Sequence, residues 1–269
     1  MATIDSTARV DKGARIGVNV EIGPYCVVGA DAMLADGCRL IAQVYVARRT
    51  SIGPRTVAWP FAALGTPPQS AHYKGEASML VIGADCVIRE GVTMNSGTAG
   101  GGMETRVGDR CMFMANSHVA HDCRIGNDVI FANGVMIGGH TVIEDHVFMG
   151  GGAAAHQRVR IGAHAIVGGL TGIWGDMIPF ATAKGDRAHL AGLNVIGLRR
   201  RGFSNDAIRS LRRAYDMLFS EAGELVARLD QVAKEFAGDE NVMRIVTFVR
   251  EGKGRPLITP HARSGREDD

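Results

Sequence analysis

Residues 15–46 read RIGVNVEIGPYCVVGADAMLADGCRLIAQVYV, and an aliphatic residue recurs at every sixth position: Ile16, Ile22, Val28, Leu34, Leu40 and Val46. Followed outward, this register runs unbroken from Ile4 through Val10, Ile52 and Ala58 to Leu64 and resumes at Ile82, Ile88 and Met94. After a one-residue slip it continues from Val107 through Phe113, Val119, Ile125, Phe131, Ile137, Ile143, Met149, Ala155, Ile161 and Val167 to Ile173. A period of six is neither the 3.6 of a helix nor the bare 2 of a strand; it suits a short strand plus a turn, repeated. The pattern predicts a parallel β-helix in which three units close a triangular coil of about 18 residues, with nearly nine coils stacked roughly 4.8 Å apart.

Composition fits such a prism. Glycine is 36 of 269 residues, about 13% against a usual ~7%. It often follows the six-residue marker, as at Gly17, Gly23, Gly29, Gly53, Gly126, Gly138, Gly162 and Gly168, where it is expected to supply turn backbone. Collagen is excluded by the 8 prolines and by glycine far below one in three, and disorder by 46% hydrophobic residues with a net charge of +2. All five cysteines (Cys26, Cys38, Cys86, Cys111, Cys123) fall four residues after a marker, a slot shared with Val20, Ala32, Val44, Thr50 and Ser117. An even spacing from the marker points both inward, so the thiols read as small core fillers; no CxxC pair suggests zinc or a disulfide framework.

Two polar, glycine-rich segments interrupt the repeat, 65–81 and 95–106, and are expected as loops thrown from a corner of the prism, where binding usually resides. The β-helix is expected over 1–186 and a helical domain over 187–269. Ser204 is expected to cap a helix carrying Ile208, Leu211, Tyr215 and Leu218; a second carries Leu225, Leu229, Val232 and Phe236, a third Val242, Ile245, Val246 and Val249, with a mobile tail from Gly252. No stretch has the length of a membrane span and the N-terminus lacks a signal-peptide core, which points to a cytoplasmic protein without an integral membrane segment.

Residues 199–213, RRRGFSNDAIRSLRR, carry six Arg and one Asp, a net +5 that leaves the rest of the chain at −3. One basic patch without interleaved aromatics argues against nucleic acid and for a phosphate-bearing ligand or an acidic protein partner. Histidines cluster at His118, His121, His140, His146, His156 and His164. Stepping by one coil, His121 falls beneath Gly139 and His140, and these beneath His156 and Gln157, so three coils present imidazoles at one corner within about 10 Å. In His118-Val119-Ala120-His121-Asp122 an imidazole takes a proton near neutral pH while the carboxylate fixes its tautomer. A glycine one coil above offers a backbone N–H to an oxyanion, and base plus oxyanion donor describes acyl transfer.

These residues resemble a known family. The hexapeptide register, NSHVAHDC (116–123), GGH (138–140), AAHQ (154–157), VGG (167–169) and NVIGLRRRGFS (194–204) are together similar to the acyl-carrier-protein-dependent UDP-N-acetylglucosamine 3-O-acyltransferases that begin lipid A biosynthesis. The resemblance implies a homotrimer of left-handed β-helices with a C-terminal helical domain, its active sites between neighbouring subunits, acyl carrier protein as acyl donor, and no metal or cofactor. It implies His121 as general base for the sugar 3-hydroxyl, Asp122 as its support and Gly139 N–H as oxyanion donor. His118, His140, His156 and Gln157 would line the substrate site, Asn194, Arg200 and Arg201 approach the nucleotide, and Gly169 sit where the acyl chain ends. Gln69 and His72 would lie near the nucleotide sugar.

The chain departs from the family's usual residues at Ser70 and His72 after Pro67-Pro68-Gln69, at Ser96 before Gly97-Thr98, and at Arg158 after Gln157. A 3-amino sugar nucleotide as acceptor therefore stays open. Two further readings are a trimeric β-helix carbonic anhydrase with zinc held by histidines of adjacent subunits, against which the RRRGFS helical part speaks, and a non-catalytic scaffold.

Overall fold

The computed structural model describes residues 1–220, 223–252 and 254–261. Short strands, most of two residues, wind through three parallel sheets, and each six-residue marker from Ile4 to Ile173 lies in its own strand. The first coil pairs with the second at a spacing of 18, Thr3 with Glu21, Arg9 with Val27 and Arg15 with Met33. From Ile22 onward every marker is buried, whereas Ile4 at the open end of the prism is 47% exposed. Each aliphatic marker taken wholly out of water contributes about 1.5–3 kcal/mol, which is why so few aromatics suffice.

Two close-contact rules shape the corners. The glycines after the markers are there less for their dihedral freedom than for space: a Cβ on Gly23 would lie 1.9 Å from the Ile41 carbonyl oxygen of the next coil. The left-handed corner positions are instead filled mostly by other residues, Tyr25, Asp31, Gln43, Arg49 and Asp122 among them. This corrects the expectation that glycine supplies the turn backbone. The cysteine slot also carries more than volume. Cys38, Cys86, Cys111 and Cys123 are 0% exposed, and their thiols lie 3.0–3.2 Å from the carbonyls of Gly53, Gly108, Gly126 and Gly138. A slot filled by Cys or Thr supplies a side-chain donor to a corner carbonyl, which Ala or Val cannot.

Both interruptions leave the prism from the same corner, between the second and third sheets. One joins Ala63–Thr66 to Met79–Ile82, the other Thr93–Asn95 to Glu104–Val107. Pairing resumes on either side, at a spacing of 30 for Val57 with Val87 and of 25 for Thr93 with His118.

Where helical structure was expected from 187, the sheet first continues. Ala181–Lys184 extends the first sheet, and His189–Leu193 returns antiparallel to it and covers that edge. A short helix absent from the sequence reading follows, α1 (Val195–Arg200), capped by the Asn194 side chain. Then come α2 (Asn205–Leu218), capped by Ser204, α3 (Leu225–Glu235), and α4 (Glu240–Arg250), capped by Asp239. Their buried faces carry Ile208, Leu211 and Leu218, Leu229 and Val232, and Val242, Ile245 and Val246. Arg160 fastens this part to the prism: it bonds Asp176 and the Phe248 carbonyl, each at 2.8 Å, and its guanidinium lies 4.2 Å from the Phe248 ring.

Of the tail expected to be mobile from Gly252, residues 254–261 instead pack back. Ile258 is 0% exposed and its N–H donates to Asp176, while Leu190 N–H donates to Thr259. Residues 253 and 262–269 of that tail lie outside the described residues. No described helix is long and apolar enough to cross a membrane.

Candidate active site

The corner that carries both inserted loops also carries His121. The chain leaves the strand His118–Val119, turns at His121 and Asp122, and enters Arg124–Ile125. Asp122 takes the left-handed conformation at this corner, as do His140 and Arg158 directly above it. The His121 carbonyl accepts from His140 N–H and the Gly139 carbonyl from Arg158 N–H, both at 2.9 Å, so the three corners are stacked as the coil arithmetic predicts.

His121 Nδ1 lies 2.8 Å from Asp122 Oδ2. The Asp122 side chain is fully buried, and the second loop grips it: Thr98 N–H donates to Oδ1 at 2.8 Å and the Thr98 hydroxyl to Oδ2 at 2.6 Å. Thr105 accepts the Asp122 N–H at 2.7 Å. Gly101 of the same loop lies against the carboxylate, where an added Cβ would meet Asp122 Cγ at 1.9 Å. Both Thr98 groups are donors, so the carboxylate is an acceptor for the His121 Nδ1–H, and Nε2 is left as the ring's proton-accepting atom. Gly139 presses on that ring from above; a Cβ there would come 2.8 Å from Nε2. Among the described residues the Gly139 N–H has no acceptor.

Two further imidazoles flank the pair. His140 stands edge-on to His121, ring centroids 5.1 Å apart, with Nε2 3.8 Å from Asp122 Oδ2. Burial, then the Arg158 charge, hold its pKa below the usual histidine range. His118 Nδ1 bonds the Thr93 hydroxyl at 2.7 Å, and burial lowers its pKa also. His121, Asp122 and His140 are close enough together to suggest a metal trio. The Asp122 oxygens, however, are engaged by Thr98 and His121, so the set is arranged as a hydrogen-bonded dyad.

The remaining predicted residues are spread over the chain. His156 and Gln157 are exposed one coil above Gly139. Arg255, from the returning tail, donates to His156 Nδ1 at 2.7 Å and to the Gln157 carbonyl at 3.2 Å. Gln69 and His72 are exposed on the first loop. Gly169 belongs to the corner between the first and second sheets, stacked on Gly151. Asn194, Arg200 and Arg201 lie by the third corner. Asn194 is occupied structurally, accepting from Gly197 N–H and donating to the His164 carbonyl. Arg201 donates to the His146 carbonyl, and Arg200 is exposed. His146 and His164 stack there, 4.7 Å apart, away from His121. In the basic patch Arg209 pairs with Asp206 and Arg213 with Glu235.

Thr98, Gly101 and Thr105 escaped the sequence reading as site residues. Their signal was the shared corner: a loop inserted one coil beneath His121 falls on the Asp122 carboxylate.

Comparison with known proteins bears on the whole chain. Residues 176–258 match the family model for domain 2 of UDP-N-acetylglucosamine O-acyltransferase, and 104–139 that of the bacterial transferase hexapeptide with six repeats. The chain is 51% identical over 260 residues to an acyl-[acyl-carrier-protein]–UDP-N-acetylglucosamine O-acyltransferase of Azorhizobium caulinodans, covering 97% of this chain and 96% of that one. It is 45% identical over 266 residues to the protein of the same name from Rhizobium johnstonii, covering 97% and 98%. Among solved structures, a UDP-N-acetylglucosamine acyltransferase superposes with a TM-score of 0.93 at 38% identity, covering 97% of this chain and all of that one. The UDP-N-acetylglucosamine O-acyltransferase of Moraxella catarrhalis gives 0.91 at 34%, covering 95% and 99%. The left-handed parallel β-helix with a C-terminal helical part is the fold the chain has in common with them.

Proposed function

The chain belongs to the UDP-N-acetylglucosamine O-acyltransferase family, and on that premise we propose that it moves an acyl chain from acyl carrier protein to UDP-N-acetylglucosamine, the first step of lipid A synthesis, with His121 as general base. The sugar 3-hydroxyl oxygen attacks the carbonyl carbon of a 3-hydroxyacyl thioester while its proton passes to His121 Nε2. The carbonyl oxygen becomes an oxyanion facing the Gly139 N–H. The tetrahedral adduct then collapses, the C–S bond breaks, and the imidazolium returns the proton to the departing thiolate. Asp122 holds the ring through Nδ1 and steadies the imidazolium. The observation that carries this reading is the His121–Asp122 bond with both carboxylate oxygens held by Thr98.

The distribution of the predicted residues supports assembly as a homotrimer. In one chain they fall on three different corners, and a cleft that gathers them needs a neighbouring subunit. Exposed apolar side chains support the same reading: Tyr45 and Met136 lie on the sheet that carries His118, and Tyr25, Phe61 and Leu170 along its edge. Light scattering is expected to give three times the chain mass of 28.6 kDa. Such a protein works in the cytoplasm, where carrier-protein thioesters are made, and its exposed arginines Arg199, Arg200 and Arg212 are suited to an acidic carrier.

Incubation with UDP-N-acetylglucosamine, or with its 3-amino analogue, and 3-hydroxyacyl carrier proteins of several lengths tests the function. Mass spectrometry is expected to find one acylated sugar nucleotide, whose mass reports acceptor and chain length, and a folded His121→Ala variant is expected to form none. No product with either acceptor overturns the reading.

A further inference from the structure

We propose that Thr141 and Cys123 are positioning residues for the oxyanion donor, clamping the Gly138 carbonyl and so aiming the Gly139 N–H. The inference deepens the functional reading above and rests on it.

Gly138 C=O and Gly139 N–H belong to one peptide unit. No described peptide bond is cis, so the two groups point in opposite directions across one rigid plane. The Thr141 hydroxyl lies 2.7 Å from Gly138 O and the Cys123 thiol 3.2 Å from it. Both side chains are 0% exposed, which turns the carbonyl into the prism and the N–H out toward the corner where His121 lies against Gly139. The Thr141 hydroxyl also passes 3.3 Å from the His156 carbonyl; with a single proton, it donates to the nearer oxygen.

The same device recurs elsewhere with one donor. Thr56 serves Gly83, Cys38 serves Gly53, Cys86 serves Gly108 and Cys111 serves Gly126. Among the described residues only Gly138, of these corner glycines, receives two side-chain donors. The excess falls on the one peptide that leads into the glycine packed against the His121 ring. Two effects follow. The plane cannot rotate without breaking both bonds, so the donor is set before any substrate arrives, which is what gives an oxyanion donor its value. Hydrogen bonds accepted at the carbonyl also polarise the amide and strengthen its N–H as a donor.

The test compares Thr141→Val, Thr141→Ser and Cys123→Ala in glycine-15N-labelled protein, reading the Gly139 amide resonance together with kcat and KM. Thr141→Val is expected to move the Gly139 resonance and lower kcat by about tenfold with KM unchanged, short of the ~10²–10³ lost with a whole oxyanion donor. Thr141→Ser is expected to restore both readouts, and Cys123→Ala to shift them in the same direction by less, since a thiol is the weaker donor. An unmoved Gly139 resonance in folded Thr141→Val overturns the proposal, as does a moved resonance with unchanged kcat. Should Thr141→Val fail to fold, Cys123→Ala decides by the same two readouts. A wild type without transferase activity overturns the functional reading, whereas an active wild type whose variants keep their kcat overturns this proposal alone.

Discussion

Thr98 holds both oxygens of the Asp122 carboxylate, its N–H on Oδ1 at 2.8 Å and its hydroxyl on Oδ2 at 2.6 Å, across a separation of 24 residues. The inserted loop is therefore part of the base rather than an appendage near it. A buried carboxylate that loses a charge-assisted donor is destabilised by about 1–3 kcal/mol, and the loss falls on the group that orients His121.

Thr98→Val keeps the backbone donor and the shape but removes the hydroxyl. It is expected to lower kcat about tenfold, the equivalent of ~1.4 kcal/mol, with the circular dichroism of the prism intact. Thr98→Ser is expected to retain most of the activity. Equal kcat in Thr98→Val and wild type would show that the loop does not steady the dyad.

The stacked histidines at the third corner make stability depend on pH. Burial first, then the charges of His146, Arg201 and Arg244, lower the His164 pKa to about 4, against a smaller opposing effect of Asp145. Unfolded, the same group titrates near ~6.5. Between these values the unfolded chain binds a proton that the folded chain does not, so stability is full above ~6.5 and falls as the pH drops toward about 4. The helical part rests on this residue through Asn194 at its carbonyl and Phe203 against its ring. Thermal melts are expected to show Tm falling from pH 7 to pH 5, and His164→Phe to flatten that slope. An unchanged slope in the variant would assign the pH dependence to other groups.

His121, Asp122 and His140 tempt a zinc reading, and chelation separates the two chemistries. Because the Asp122 oxygens already accept from Thr98 and His121, acyl transfer is expected to be unchanged after exhaustive dialysis against a chelator. Loss of transfer on dialysis, restored by zinc, would make the trio a metal site.

The β-helix was legible because its signal repeats. Each marker from Ile4 to Ile173 is one strand, and stepping by one coil stacks His121, Gly139 and Gln157 correctly. The arithmetic fails across an insertion, where Thr93 lies beneath His118 at a spacing of 25, and so Thr98 and Gly101 could not be set against Asp122 by counting. Thr141 and Cys123 were hidden for a different reason. Their slot is apolar in most coils, and a hydrogen bond from a small buried side chain leaves no periodic trace. The strand His189–Leu193 and the helix α1 are short and sit where one period gives way to another, while residues 254–261 pack through backbone bonds that composition does not announce.

Both insertions depart from one edge of the prism, and the ladder closes again behind each of them, Leu80 on Thr50 behind the first and Met112 on Val87 behind the second. That edge is therefore a seam where residues can be gained or shed without disturbing the coils above and below. Substrate preference has a place to drift, in the length and composition of the loops, as long as one threonine keeps its hold on the carboxylate. Relatives that differ in acceptor are expected to differ along this seam and to agree in the coils that frame it.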